Sequence, residues 1–198
     1  MYLASFFILV VVSLTVDNTK SLYSRAEYTD CGSQDVTIHS IDIHPMPIRY
    51  PGSINLTLAH TIKRPIKAFQ LSVRIIRTIG GISLPFSCYI VKGFHVGSCD
   101  YTSDQICHLI NNWWPKTFGL YLTSLVSTIL GNNCNGSVDE VPMNQIIVYN
   151  EMLELSAFPE YMSWLTVGDF KLKIMAMEQD RTVFCGTFKY TTLPRRIK

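Results

Sequence analysis

The sequence predicts an all-β protein, an antiparallel β-sandwich or β-cup with one or two short helices between Cys99 and Cys134. Three observations predict it: apolar and polar residues alternate at period two in several separate runs, turn motifs interrupt those runs, and six cysteines follow an apolar leader. Alternation at period two places one set of side chains on each face of a strand, so such a run is half-buried.

The leader comes first. Met1 to Leu14 contains Phe6-Phe7-Ile8-Leu9-Val10-Val11-Val12 without a charge, and the polar Asp17-Asn18-Thr19-Lys20 follows. This reads as the apolar region of a signal peptide, since the run is far shorter than the ~20 residues of a spanning helix. Residues 1–26 are read as signal peptide and short leader, with cleavage near Thr15 or Ala26, and residues 27–198 as one domain. The expected destination is outside the cell or the lysosomal lumen.

In an oxidising compartment, Cys31, Cys88, Cys99, Cys107, Cys134 and Cys185 read as three disulfides, although spacing alone leaves their pairing open. Zinc is the competing use of cysteine. No Cys-x-x-Cys occurs and no histidine stands in ligand spacing with a cysteine pair, so neither metal nor cofactor is expected. Two sequons, Asn55-Leu56-Thr57 and Asn135-Gly136-Ser137, fit export with N-glycans. In Ile54-Asn55-Leu56-Thr57-Leu58 the acceptor lies on the polar side of a strict alternation, opposite Leu56 and Leu58.

The strands follow in order. Phe69, Leu71, Val73 and Ile75 share one face of Ala68 to Ile76, and Phe170, Leu172 and Ile174 repeat the pattern against Lys171 and Lys173. Val36 to Ile43, Ser87 to Val91, Gln145 to Tyr149 and Thr182 to Tyr190 are further candidates, giving about seven strands of a sandwich. Turn chemistry stands at Tyr50-Pro51-Gly52-Ser53, Gly80-Gly81 and Val167-Gly168-Asp169. After Cys99 the period changes: Ile106, Leu109, Ile110 and Trp113 fall at helical spacing, with Ser103 or Asp104 as cap. Phe118, Tyr121, Leu122, Leu125, Val126, Ile129 and Leu130 form a second helical stripe ending at Gly131.

The chain shows no Gly-x-Ser-x-Gly elbow and no His-Glu-x-x-His pair. His39 and His44, near Asp35 and Asp42, read as solvated strand residues, and Glu151 and Glu154 as a loop coat or a helical pair. Catalysis is therefore not expected. The net charge of +2, with Lys and Arg dispersed, argues against a nucleic-acid partner, and Arg195-Arg196-Ile197-Lys198 reads as a solvated tail.

The segment Ser163-Trp164-Leu165-Thr166-Val167-Gly168-Asp169-Phe170 resembles the Ser-Trp-Leu-Thr-x-Gly-Asn-Tyr pattern of the ganglioside activator proteins. These are lipid-presenting cofactors of lysosomal β-hexosaminidase A within the broader ML lipid-recognition fold. Asp30-Cys31, Pro51-Gly52 before the sequon strand, Leu84-Pro85 before Cys88, Gly97-Ser98-Cys99 and Gln105-Ile106-Cys107 support the resemblance, which spans Asp30 to about Leu193. The chain lacks one cysteine pair of that family's pattern, in the loop between Cys107 and Cys134, and rebuilds that loop as Trp113 to Leu130.

The resemblance implies a cup with an apolar lipid cavity and the pairings Cys31 to Cys185, Cys88 to Cys99 and Cys107 to Cys134. It implies a glycolipid or phospholipid ligand, transient contact with a membrane surface, and a lysosomal glycosidase as protein partner. An extracellular interaction module filled with lipid and a sterol carrier of the same broad fold are the alternatives. On that basis Leu56, Leu58, Leu71, Val73, Ile75, Ile146, Val148, Leu172 and Ile174 are the expected cavity lining, with ordinary core as the competing role. Ile79, Ile82, Trp113, Trp114, Met162 and Trp164 are the expected apolar rim.

Overall fold

Strict alternation does set the central strand of one layer, and around it two sheets face each other. The computed structural model describes residues 23–64, 66, 69–91, 94–113, 143–155 and 166–195. Within these, the strands are β1 (Glu27–Asp30), β2 (Val36–His44), β3 (Ile48–Tyr50), β4 (Gly52–Ile62), β5 (Gln70–Ile79) and β6 (Ile82–Phe86). They continue as β7 (Tyr89–Val91), β8 (Phe94–Val96) and β9 (Asp100–Thr102), then helix α1 (Ser103–Trp113), β10 (Ile147–Leu155), β11 (Gly168–Glu178) and β12 (Arg181–Pro194). The periodicity foresaw about seven strands; three-residue pieces such as β3 and β9 are too short to show a period and exist through pairing.

One sheet has seven strands, in the order β1-β12-β11-β5-β6, with β3 alongside β12 and β9 alongside β5. The facing sheet has three, β10-β4-β2, and β7-β8 form a separate ribbon. All pairings are antiparallel except β3 with β12. The β5-β6 hairpin turns through Gly80 and Gly81, both at positive φ (56° and 84°), the two-residue turn that matches strand twist and favours glycine. The strand expected over Ser87 to Val91 is shorter: Ser87 and Cys88 lie between β6 and β7, which begins at Tyr89.

Register decides which residues face inward. On β4 these are Ile54, Leu56, Leu58, His60 and Ile62, while Asn55 is exposed on the other face. On β2 an extra residue, His39, between the pairs Ile38↔His60 and Ser40↔Ala59 shifts the parity, so that Val36 and Ile38 and then Ile41 and Ile43 face inward. Helix α1 is capped one residue earlier than the sequence suggested: the Gln105 amide donates to Thr102 Oγ1 (3.4 Å) and the Thr102 amide to Gln105 Oε1 (3.0 Å). This reciprocal box satisfies two otherwise orphaned donors, which neither Ser103 nor Asp104 does. Ile106 on the helix packs against Phe69, Leu71 and Tyr101.

Two buried clusters hold the sheets together. Val36, Ile62, Ile66, Ala176 and Val183 form one, and Ile48, Ile54, Leu56 and Leu153 the other, the latter touching Tyr190 of the larger sheet. Disulfides Cys31–Cys185 and Cys88–Cys99 fasten the frame, and Cys107 is also disulfide-bonded; Cys134 lies outside the described residues. The first closes 154 residues, worth about 5 kcal/mol in the chain-entropy model.

The first cluster is flanked by an ionic clamp. Asp35, 2% exposed, meets Arg64 at 2.9 Å and Arg181 at 2.7 Å, and Arg64 also meets Glu178 at 2.6 Å. The Asp35 amide donates to the Val183 carbonyl (3.1 Å) and its carbonyl accepts from Lys63 (2.8 Å), so the start of β2, the end of β4 and the β11-β12 hairpin meet here. The carboxylate is buried while both arginines reach water, so the two halves are unequal. Replacing both Arg64 and Arg181 by Met strands a buried charge and is predicted to cost about 3–5 kcal/mol. Asp35→Asn leaves two arginines that water can solvate and is predicted to cost about 1–3 kcal/mol. Urea unfolding of both variants checks the order, and equal losses contradict the clamp.

Candidate functional site

Between the two clusters the inward faces are mostly apolar and half-buried, apart from the buried His60 of β4. On β4, Leu58 lies between Leu56 of one cluster and Ile62 of the other, and it is not buried. On β11, Leu172 and Ile174 lie between Phe170 and Ala176, both buried, and they too are half-buried. Their register partners on β5 and β12 are Ile75, Val73 and Phe188, all half-buried on the same face. An inward side chain in the middle of a seven-stranded sheet is normally covered by the opposing layer. Here the described inward residues are buried at the two ends and half-buried between them.

The same face runs on past the smaller sheet. Ile75↔Phe86, Arg77↔Leu84 and Ile79↔Ile82 are paired across the β5-β6 hairpin, so Leu84 and Ile82 share the inward parity. They are nonetheless open: Ile79 is 44% exposed, Leu84 61% and Ile82 66%. The half-buried strip therefore leads to an apolar lip at the hairpin tip.

Burial disfavours the charged forms of two polar groups on the inward wall. Burial, and then the charge of His39, lowers the His60 pKa. Burial alone pushes the Tyr190 hydroxyl up to about 12, with its ring stacked on Phe170 at 5.3 Å. Arg77 also lies on the inward face, on β5, and its Nε donates to the Val167 carbonyl at 2.7 Å. Among the described residues no three His, Cys, Asp or Glu are grouped to hold a metal, and no helix is long and apolar enough to cross a membrane.

The residues singled out by sequence divide accordingly. Leu58, Val73, Ile75, Leu172 and Ile174 line the half-buried strip, whereas Leu56 and Leu71 pack with the clusters as ordinary core. Ile146 and Val148 do not face inward: they are 64% and 63% exposed. In the apolar run Ile146-Ile147-Val148 alternation gives no parity, and pairing sets it instead, placing Ile147 opposite His60 and Tyr149 opposite Leu58 on the inner face. Glu151 and Glu154 lie on that strand too, on opposite faces, and not on a helix or loop. Ile79 and Ile82 are at the lip. Trp113 ends α1, and its side chain is not described; Trp114, Met162, Trp164 and Asn135 lie outside the described residues. Leu84, Phe188, Arg77 and the Asp35 clamp were missed, because their roles arise from partners distant in sequence.

No protein-family model and no curated protein sequence matches the chain. Among solved structures it is similar to a Niemann-Pick type C2 protein from the Japanese carpenter ant, with TM-score 0.39 and 14% identity over 84% of this chain and 99% of that one. It is also similar to chicken MD-1 complexed with lipid IVa, with TM-score 0.38 and 16% identity over 89% of this chain and 94% of that one. The C-terminal domain of wzt gives TM-score 0.36 and 10% identity over 92% of this chain and 91% of that one. All three likenesses are distant in sequence and in shape.

The parity makes a direct prediction. Val73→Asp and Leu172→Asp put a charge on the inward face and are predicted to lower stability by several kcal/mol, about 2–4. Lys171→Asp and Val148→Asp, both on outward faces, are predicted to stay within about 0.5 kcal/mol. Thermal and urea unfolding of the four variants decide; a Val148→Asp loss as large as that of Val73→Asp would refute the faces assigned.

Proposed function

We propose that this chain is a secreted or lysosomal lipid-binding protein that holds the acyl part of a glycolipid or phospholipid between its two sheets. It carries and presents that lipid without covalent chemistry. The observation that supports this most is the row of half-buried inward residues, Leu58, Val73, Ile75, Leu172, Ile174 and Phe188, between two closed ends. Apolar surface left partly in water is worth about 25 cal/mol per Å² when covered. Each acyl CH₂ that covers it gains about 0.8 kcal/mol, so a long chain gains on the order of 10 kcal/mol. Side chains that would otherwise meet across the middle are replaced by the ligand.

The lip supplies the route. Ile79, Ile82 and Leu84 continue the inward face into the open, where they suit brief contact with a bilayer from which a lipid is drawn. The resemblance to ganglioside activators fits this reading and extends it to a glycosidase as recipient of the presented lipid. N-glycosylation at Asn55 fits as well, since that residue is exposed on the face away from the strip.

A second reading, an extracellular interaction module in which lipid only completes the core, is favoured by the outward row on β10. Ile146, just before β10, and Val148 and Met152 on it are each at least 60% exposed, a surface suited to another protein. Lipid exchange separates the two. The purified protein is expected to move a fluorescent phospholipid or glycolipid between vesicles, and Ile82→Ser with Leu84→Ser is expected to slow transfer about tenfold, the lip being worth about 1.4 kcal/mol at the membrane. Because both side chains are already exposed, the melting temperature should change little. Tight lipid that never exchanges would favour the interaction module; selective uptake of sterol would favour a sterol carrier; normal transfer by the double variant would remove the lip from the route.

A further inference from the structure

We propose that Arg77 is a headgroup site, a cation on the apolar inward wall that binds the phosphate, sulfate or carboxylate of an anionic lipid. The inference rests on the lipid-binding reading above and narrows its ligand. Along β5 the inward residues are Leu71, Val73, Ile75 and then Arg77, one step from the exposed Ile79. The cross-strand partners of Arg77 are Phe170 and Leu84, both apolar. The other basic residues of β5 and β11 have the opposite parity: Lys171 and Lys173 face outward, and Arg74 is paired with Asp100 at 2.9 Å. Arg77 alone among them shares the inward face with the half-buried strip.

Its position is built by the backbone beside it. Nε donates to the Val167 carbonyl at 2.7 Å, which fixes the plane of the guanidinium. The next residue, Gly168, has φ +134°, and a Cβ there would come within 3.3 Å of Arg77 Nε and of Ile79 Cγ1. Any side chain at 168 would crowd the guanidinium and adopt a backbone conformation that only glycine takes readily. A guanidinium cannot be discharged in a protein and presents a planar fork of donors that matches a phosphate or carboxylate. Burial pushes the Arg77 pKa down, and an anion alongside favours the charged form. An acyl chain lying along Val73 and Ile75 brings its polar end to this point, where the strip meets the open lip, so chain and headgroup are bound by adjoining parts of one face.

The test uses the delipidated full chain and two probes with identical fluorescent acyl chains, phosphatidic acid and diacylglycerol, with inorganic phosphate as a third. Wild type is expected to bind phosphatidic acid about tenfold more tightly than diacylglycerol. Arg77→Gln is expected to abolish that preference while leaving diacylglycerol binding unchanged, and Arg77→Lys to retain part of it. Millimolar inorganic phosphate is expected not to displace the lipid, since the chains carry most of the affinity. Equal binding of the two lipids by wild type overturns the headgroup site and leaves the lipid reading standing, as does a preference that survives Arg77→Gln. Displacement of the lipid by inorganic phosphate alone points to a free-anion site and overturns it also. Failure to bind either lipid removes the lipid reading, and this inference with it. Should Arg77→Gln not fold, the wild-type preference and its reduction in Arg77→Lys decide.

Discussion

The structure depends on a mismatch between its two layers. Among the described residues, a seven-stranded sheet with a long apolar inward face is opposed by a sheet of three strands. Close packing at both ends is achieved by the two buried clusters, whereas the described residues in the middle of the larger face are half-buried and those at the tip of the β5-β6 hairpin are exposed. Proteins are marginally stable, so the part of this Val, Ile, Leu and Phe row still open to water is a contribution that a ligand could add by covering it. A ligand with a long apolar chain is the natural complement to such a gap.

For a gap to persist, its ends must be fixed. The Asp35 clamp ties the first residues of β2 to the end of β4 and to the β11-β12 hairpin. Cys31–Cys185 ties the segment after β1 to β12, with Ser33 Oγ accepting from the Cys185 amide at 2.9 Å beside it. Cys88–Cys99 holds the β7-β8 ribbon against β5, where the Cys99 carbonyl accepts from the Val73 amide at 2.9 Å. These devices stabilise the frame without needing the centre to be filled. They also keep Val73 in place as wall.

Much of this was legible in the sequence where alternation is strict. Ile54 to Leu58, Leu71 to Ile75 and Phe170 to Ile174 each disclosed their inward set, because one polar residue separates each apolar pair. Where three apolar residues run together, as at Ile146 to Val148, no periodicity exists, and the pairing of Ile147 with His60 decides the face. Capping by Thr102 was concealed by two adjacent residues of equal cap propensity, Ser103 and Asp104, and is settled by the reach of Gln105. Asp35 looked like a neighbour of His39, yet its partners are Arg64 and Arg181, far along the chain. Arg77 lay one residue beyond the strand the alternation supported, and its parity became visible only once β5 was seen to continue to Ile79.

The central claim is that a lipid occupies the space between the closed ends, and native mass spectrometry of the full chain purified from a eukaryotic expression host tests it most directly. The account predicts a mass above that of the delipidated protein by one lipid, lost on organic extraction and recovered as an acyl-chain lipid in the extract. A protein purified at its bare mass, stable and unable to take up lipid when it is supplied, would contradict the account.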